Sequence, residues 1–372
     1  MQYKEFKDGV RLSRLGMGNM RLPQIEDENG QRIDFEKAQA LVDQAYAAGV
    51  NYFDTAYIYH GGKSEVFTGQ SLKKYPRDSY YVADKYNLEA NPDYEAEFAE
   101  QLERLQLDRI DFYLLHGVAD HSADRFMTNG CIDYFNQQKA AGKIRFFGFS
   151  FHGSPETLRR LLPANDWDFV QIQLNYYDWF FGAAKELYEI LAEAGIPVMV
   201  MEPVHGGMLA KLNDAGSAIL NAADPARTQA SWAMRWVKSL NGVQVVLSGM
   251  NAPEQMRDNL ATFDGEEKLD EAGWDIVRKA AEAHRKSVAV LCTGCRYCTP
   301  NCPMELDIPR LLSAYNDAKI GGAWRLSSLS SLPEEKLPSA CIGCGACTGH
   351  CPQSLPVPEY MREMAEMMGK RG

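Results

Sequence analysis

Eight of the nine cysteines in this 372-residue chain fall into two copies of one pattern. Cys292, Cys295, Cys298 and Cys302 are spaced C-x2-C-x2-C-x3-C ahead of Pro303, and Cys341, Cys344, Cys347 and Cys351 repeat the spacing ahead of Pro352. Three thiolates this close on one loop can grip three corners of an iron–sulfur cubane, and the fourth, leaving the loop, can reach across to another. Gly294, Gly343 and Gly345 suit such loops, because glycine tolerates φ > 0 and lets backbone N–H groups approach the sulfides. Two other readings fit less well. Zinc sites pair two C-x2-C hooks rather than a triple hook with a fourth cysteine before Pro. A disulfide scaffold belongs with a signal peptide, which is not seen here, and with cysteines along the chain, where only Cys131 is found. Cys131 itself reads as a small buried hydrophobe near a helix start.

The two runs resemble those of bacterial two-cluster ferredoxins. The resemblance implies two 4Fe-4S clusters with crossed fourth ligands: Cys292, Cys295, Cys298 and Cys351 for one, and Cys341, Cys344, Cys347 and Cys302 for the other. Adjacent cubanes suit an electron wire; a purely structural role is the alternative.

The chain is too long for such a tail alone, and its length fits one large domain plus a small one. A net charge of −11 offers no basic footprint, so nucleic acid is not an expected partner. No apolar stretch reaches bilayer-spanning length. The expected setting is cytoplasmic, with a small-molecule substrate and a ferredoxin or other redox partner.

Up to about residue 262, short apolar runs alternate with amphipathic helical stretches. The runs lie at 12–17, 51–54, 80–85, 110–116, 144–149, 169–173, 198–201 and 243–247. Eight strand–helix units predict an α/β fold, a (β/α)8 TIM barrel, followed by a small α-helical ferredoxin-like iron–sulfur domain. A doubly wound sheet is the alternative, but Gly16-Met17-Gly18-Asn19-Met20-Arg21 lacks the third glycine of a dinucleotide fingerprint. Boundaries are placed at 1–265 for the barrel, 266–288 for a connecting helix and 289–372 for the cluster domain. A further helix is expected near 309–319, followed by an irregular stretch over 321–338.

Three of the apolar runs end on a reactive side chain: Asp54, Lys85 and His116, at equal intervals of 31 residues, or one strand–helix unit. The three are therefore expected on neighbouring strands at one rim, the C-terminal one, where active sites of this fold lie. Tyr59 follows in the loop after Asp54. This set can do acid–base work. An ammonium beside a phenol favours the phenolate, Asp54 can hold the ammonium, and His116 can donate to a substrate oxygen while Tyr59 supplies a proton. Each residue has a blander use, Asp54 as a helix cap, His116 and Tyr59 in packing, Lys85 at a solvated end; the shared spacing favours the joint reading.

These residues carry a resemblance to the aldo/keto reductases. Phe53-Asp54-Thr55-Ala56-Tyr57-Ile58-Tyr59 with Gly62-Lys63-Ser64-Glu65 resembles D-T-A-x-x-Y…G-x-S-E, and Tyr113-Leu114-Leu115-His116 resembles Y-x-x-H. The resemblance covers about residues 1–262. It implies Tyr59 as general acid, Lys85 and Asp54 as its tuners, His116 as the substrate-orienting donor, and NAD(P)H across the barrel mouth. It also implies cofactor contacts from Ser150, Gln171, Met201, Gly249, Gln255 and Asn259. Phe151 stands where the family pattern has Asn, Met201 where it has a stacking Tyr, and Gly249, Met250 and Gln255 where many members clamp a 2′-phosphate with cations. A dianionic phosphate wants Arg or Lys, so NADH preference or weak nicotinamide binding is expected.

Other features are weighed more lightly. Gly206-Gly207 could approach a pyrophosphate or simply form a tight turn, and His152 and Arg21 could meet substrate. Trp179-Phe180-Phe181 could wall a pocket or pack inside. The expected function is a carbonyl–alcohol oxidoreductase whose clusters exchange electrons with a partner. Hydride and one-electron chemistry need an adaptor, so a flavin is one option; direct feeding of the substrate and structural clusters are others. The alternative from another class is an electron-transfer or docking subunit whose barrel is no longer a reductase.

Overall fold

The computed structural model describes residues 1–27, 30–265, 268–286 and 288–369. It contains two compact units, one of Met1–Pro203 with Ala230–Trp274, the other of Val204–Gln229 with the chain from Asp275 onward.

The first unit is a closed barrel of eight parallel strands: β1 (Leu15–Gly18), β2 (Tyr52–Asp54), β3 (Tyr81–Tyr86), β4 (Ile110–Val118), β5 (Ile144–Phe151), β6 (Phe169–Gln173), β7 (Val198–Met201) and β8 (Val243–Ser248). Each strand pairs with the next in sequence, and β8 returns to β1 through Val246↔Leu15, Leu247↔Gly16 and Ser248↔Met17. Closure leaves no unpaired edge. The interior is aromatic at the N-terminal ends of the strands. Phe112 packs against Tyr52, Phe146 and Phe169 with ring centroids 5.0–5.3 Å apart. Phe6 closes that end, edge-on to Phe146 at 4.9 Å. It is brought there by a hairpin that pairs Tyr3–Glu5 with Arg11–Ser13.

That hairpin shortens the first barrel strand, expected over 12–17, so that it starts at Leu15. Leu12 pairs with Lys4 outside the ring, and Ser13 exchanges bonds with Asn51. The other seven strands lie where apolar runs predict them, β6 and β7 with the same bounds. Outer helices follow the 3.6-residue period. Tyr94–Leu105 is capped by Asp93, whose carboxylate accepts from Ala96 N at 3.0 Å, and it buries Phe98, Gln101 and Leu105 on one face.

β4 carries a bulge. Its ladder with β5 runs Leu115↔Phe149 and then Val118↔Phe151, so His116 and Gly117 together oppose Ser150. Gly117 takes φ 66°, and its N–H donates to Ser150 Oγ at 2.7 Å. Bulges of this kind re-aim a side chain next to an active site. Gly148 on β5 has no room for a side chain, because a Cβ there would lie 2.3 Å from the Phe169 carbonyl oxygen.

The second unit is helical. Ile308–Gly321 and Val357–Gly369 pack through Leu311, Leu312, Tyr315, Met361 and Met364. Asp307 caps the first of these helices, with Pro309 in its first turn. Short 3-10 turns at Ala323–Leu329 and Glu334–Lys336 fill the stretch expected to be irregular. The segment Val204–Gln229 joins this unit through Asn213, whose N–H donates to His284 Nδ1 at 3.0 Å and whose amide donates to the Ala283 carbonyl at 3.1 Å. At Gly206 a Cβ would fall 1.9 Å from the Thr293 carbonyl oxygen. The expected boundaries at 265 and 288 therefore stand beside a division that also assigns 204–229 to the tail's unit. The helix Glu271–Arg285 spans the expected connection, of which residues 266, 267 and 287 lie outside the described residues, as do 370–372 of the tail. No described helix is long and apolar enough to cross a membrane.

Candidate active site

Asp54 ends β2, Lys85 is the penultimate residue of β3, and His116 sits in the β4 bulge. Tyr59 opens a short turn, Tyr59–Gly62, in the loop after β2. The structure brings all four together. Lys85 is completely buried; its Nζ donates to Asp54 Oδ1 at 2.7 Å and to the Thr55 carbonyl at 2.5 Å. The same Nζ lies 4.9 Å from the centroid of the Tyr59 ring, and the Tyr59 and His116 rings meet edge-to-face at 5.8 Å. Burial pushes the Asp54 carboxyl up, and the Lys85 ammonium opposes that push. Burial, then the Lys85 charge, then His152 hold His116 well below the usual imidazole range, so the ring is neutral at physiological pH.

A buried polar layer supports Lys85 from behind. Gln101 donates to the Lys85 carbonyl at 2.9 Å and to Glu65 Oε1 at 3.1 Å, and it accepts from the Tyr113 hydroxyl at 2.5 Å. Arg104 Nη1 meets Glu65 Oε2 at 2.7 Å, and Lys85 N donates to Asp84 Oδ1 at 2.9 Å. Gly69 permits this layer: a Cβ there would lie 2.4 Å from the Leu105 carbonyl oxygen, so the Glu65 and Gln101 helices touch closely. None of these supporting residues stands out as functional in the sequence. Glu65 and Tyr113 lie inside the motifs quoted above, but Gln101 carries only the helical period as a signal.

Glu97 accepts from Asn87 N at 2.6 Å, and burial pushes its carboxyl up to about 9. A carboxyl raised in the fold keeps its proton while the unfolded chain loses it from about pH 4.5 upward, so stability declines as pH rises from there to about 9. Glu97→Gln keeps the acceptor and removes the ionisation. The fall in unfolding midpoint between pH 6 and pH 9 is expected to be smaller in this variant, and an unchanged fall removes Glu97 as its source.

The residues expected to hold a nicotinamide are placed as follows. Ser150 and Gln171 are register partners on β5 and β6, both buried. Gln171 Nε2 contacts Met201 Sδ at 3.6 Å, and its Oε1 is buried with no hydrogen-bond partner among the described residues. That orphaned acceptor beside Ser150 fits the N–H2 of a carboxamide. Asn259 donates to Ser248 Oγ at 2.8 Å. Gly249 is exposed and Met250 buried, while the Gln255 side chain folds back to accept from Asn251 N at 2.9 Å. Of the lighter candidates, Arg21 pairs with Glu202 at 3.8 Å, burial lowers His152 to about 4, and Trp179 packs on Trp236 and Trp274 at 5.3 and 5.8 Å.

In the second unit the cysteines line two cavities. One, about 320 Å³ of atom-free space, is walled by Cys292, Cys295, Cys298 and Cys351. The other, about 340 Å³, is walled by Cys302, Cys341, Cys344 and Cys347. Each cavity thus takes three thiols from one run and the fourth from the other. Gly294, Arg296, Gly343 and Gly345 turn the loops with φ between 65° and 77°. Four thiols lining one cavity match the ligand set of a 4Fe-4S cubane. Cys131 is fully buried at the start of helix Cys131–Ala140, where burial raises its thiol to about 12.

Comparison with known proteins finds relatives for both parts of the chain. The 4Fe-4S dicluster domain model matches residues 291–355. The NADH-specific methylglyoxal reductase of Escherichia coli (strain K12) is 26% identical over 322 residues, 74% of this chain and 96% of that protein. The L-galactose dehydrogenase of Arabidopsis thaliana is 28% identical over 294 residues, 70% of this chain and 87% of that protein. Among solved structures, the holo form of an aldo-keto reductase from Bacillus halodurans superposes with a TM-score of 0.64 at 23% identity, covering 76% of this chain and 97% of that one. An aldo-keto reductase from Klebsiella pneumoniae in complex with NADPH gives 0.60 at 21%, with 76% and 96% covered. At those identities the likeness is one of fold. The model of the aldo/keto reductase family matches residues 14–282, and with that barrel and that match the chain belongs to the aldo/keto reductase family, carrying a C-terminal 4Fe-4S dicluster domain.

Proposed function

We propose that the barrel interconverts a small carbonyl compound and its alcohol, and that the second unit holds two 4Fe-4S clusters that exchange single electrons with a redox partner. The observation that carries the first half is the completely buried Lys85 ammonium, 2.7 Å from Asp54 and 4.9 Å from the Tyr59 ring centroid. A bound NAD(P)H supplies the hydride. The protein's own residues do the rest. The His116 imidazole donates to the carbonyl oxygen and polarises the C=O bond. As the carbon takes the hydride, the π bond breaks toward oxygen, and that oxygen takes the Tyr59 hydroxyl proton. The phenolate left behind is stabilised by the Lys85 charge, which is screened less in a buried site than in water. Asp54 and the Thr55 carbonyl keep Lys85 aimed. In the oxidative direction each transfer runs in reverse.

Ser150 and Gln171 are the proposed carboxamide ligands, with Met201, Gly249, Gln255 and Asn259 lining the rest of the cofactor. NADH is the proposed nicotinamide. Gly249, Met250 and Gln255 bring no cation to a 2′-phosphate, and a relative bears the name NADH-specific methylglyoxal reductase. Reduction of a panel of 2-oxoaldehydes and aldoses is expected to show higher kcat/KM with NADH than with NADPH. Gln255→Arg is expected to lower the KM for NADPH by about 10–100-fold, the worth of one charge-assisted contact. NADPH preference in the unaltered protein overturns the assignment.

The clusters are the proposed work of Cys292, Cys295, Cys298 and Cys351, and of Cys341, Cys344, Cys347 and Cys302, the two sets that line separate cavities. A second reading, an electron-transfer subunit whose barrel turns over no carbonyl, is favoured by Met201 at the stacking position. Anaerobic titration of the clustered protein with NADH separates the two. Cluster bleaching shows that nicotinamide and clusters are coupled; nicotinamide binding without bleaching favours structural clusters; no binding favours the subunit.

A further inference from the structure

We propose that Asn87 is a positioning residue that fixes the tautomer of His116, holding the ring proton on Nε2. The inference rests on the reading of His116 as donor to the carbonyl oxygen. It concerns a residue outside every motif used so far, one position beyond the end of β3.

Asn87 is held at several points. Its backbone N–H donates to Glu97 Oε1 at 2.6 Å. Its carbonyl accepts from Ala90 N at 3.1 Å and Asn91 N at 3.0 Å, closing a turn. Its side-chain oxygen accepts from Glu89 N at 3.2 Å and Ala90 N at 2.9 Å. The side-chain nitrogen is what remains, and it lies 3.3 Å from His116 Nδ1. Flipping the amide would turn its N–H2 toward two backbone N–H donors, so the orientation follows from the network rather than from the atom labels.

An amide nitrogen only donates. His116 Nδ1 must therefore accept, which leaves Nδ1 without a proton. A neutral imidazole carries one proton, and it then sits on Nε2. Burial of His116 keeps the ring neutral, so no second proton restores a choice. The reaction proposed above needs a donor at the carbonyl oxygen, and only the Nε2–H tautomer presents one from this ring with Nδ1 engaged. The opposite tautomer would offer a lone pair to the oxygen and oppose charge building there. The bulge at His116–Gly117 and the turn at Asn87 thus act together: one sets where the ring is, the other which nitrogen bears hydrogen.

The test uses the full clustered protein labelled with 15N in its histidine rings. The His116 signals are identified by their loss in His116→Gln. The unaltered protein is expected to show Nδ1 in the unprotonated range and Nε2 in the protonated range. In Asn87→Asp the turn keeps its side-chain acceptor, and the ionised carboxylate facing Nδ1 can only accept. The expected outcome is a proton on Nδ1 and none on Nε2, with kcat for carbonyl reduction lowered by about 10²–10³-fold, as for loss of an oxyanion donor. A protonated Nδ1 in the unaltered protein overturns the proposal, as does an unchanged tautomer in Asn87→Asp. A tautomer that switches while kcat stays unchanged upholds the role of Asn87 and overturns the role of His116.

Discussion

Replacing Tyr59 by Phe is expected to lower kcat for carbonyl reduction by about 10²–10⁴-fold, the usual worth of a positioned proton donor. The change removes one oxygen and leaves the ring, so the edge-to-face contact with His116 and the packing over Lys85 remain. Iron and sulfide content are expected to stay the same, because the cysteine cavities are built from other residues. Nicotinamide binding is expected to be retained for the same reason. Lys85→Met makes a complementary test. It removes the charge that stabilises the phenolate and leaves Asp54 buried without its partner, so loss of rate is expected together with loss of stability. A Tyr59→Phe protein with full activity contradicts the acid–base reading outright.

The crossed cysteine sets predict loss of half the iron when a single cysteine is replaced. Cys351→Ala and Cys302→Ala are each expected to remove one cluster, taking iron from about 8 to about 4 per chain. The pairing shows in double variants. Cys351→Ala combined with Cys292→Ala strikes one cavity twice and is expected to lose no more iron than either alone. Cys351→Ala combined with Cys341→Ala strikes both cavities and is expected to leave almost none. Uncrossed ligation reverses the two results.

The barrel was legible because strands buried on both faces read as apolar runs, and seven of eight fall on those runs. The eighth misled because Leu12 and Ser13 look like barrel residues yet serve the hairpin that delivers Phe6. The equal spacing of Asp54, Lys85 and His116 was legible for a geometric reason: one strand–helix unit returns the chain to the same rim. The bulge was not, since His116-Gly117 reads as a strand's end until the pairing with Ser150 is seen. Asn87 was hidden more deeply. Its role depends on which amide atom faces His116, and that is decided by the N–H groups of Glu89 and Ala90. The assignment of Val204–Gln229 to the second unit is likewise a matter of tertiary contacts, made by Asn213 and Gly206, that no local pattern announces.

In the proposed reaction the barrel transfers hydride to a carbonyl carbon at the Tyr59 site. Single-turnover reduction with NADH deuterated at the transferable C4 position tests it most directly, with product analysed by mass spectrometry and the clusters followed by absorbance. One deuterium is expected on the carbinol carbon, appearing at the rate of NADH oxidation and lost in Tyr59→Phe. Alcohol formed without deuterium on that carbon contradicts it.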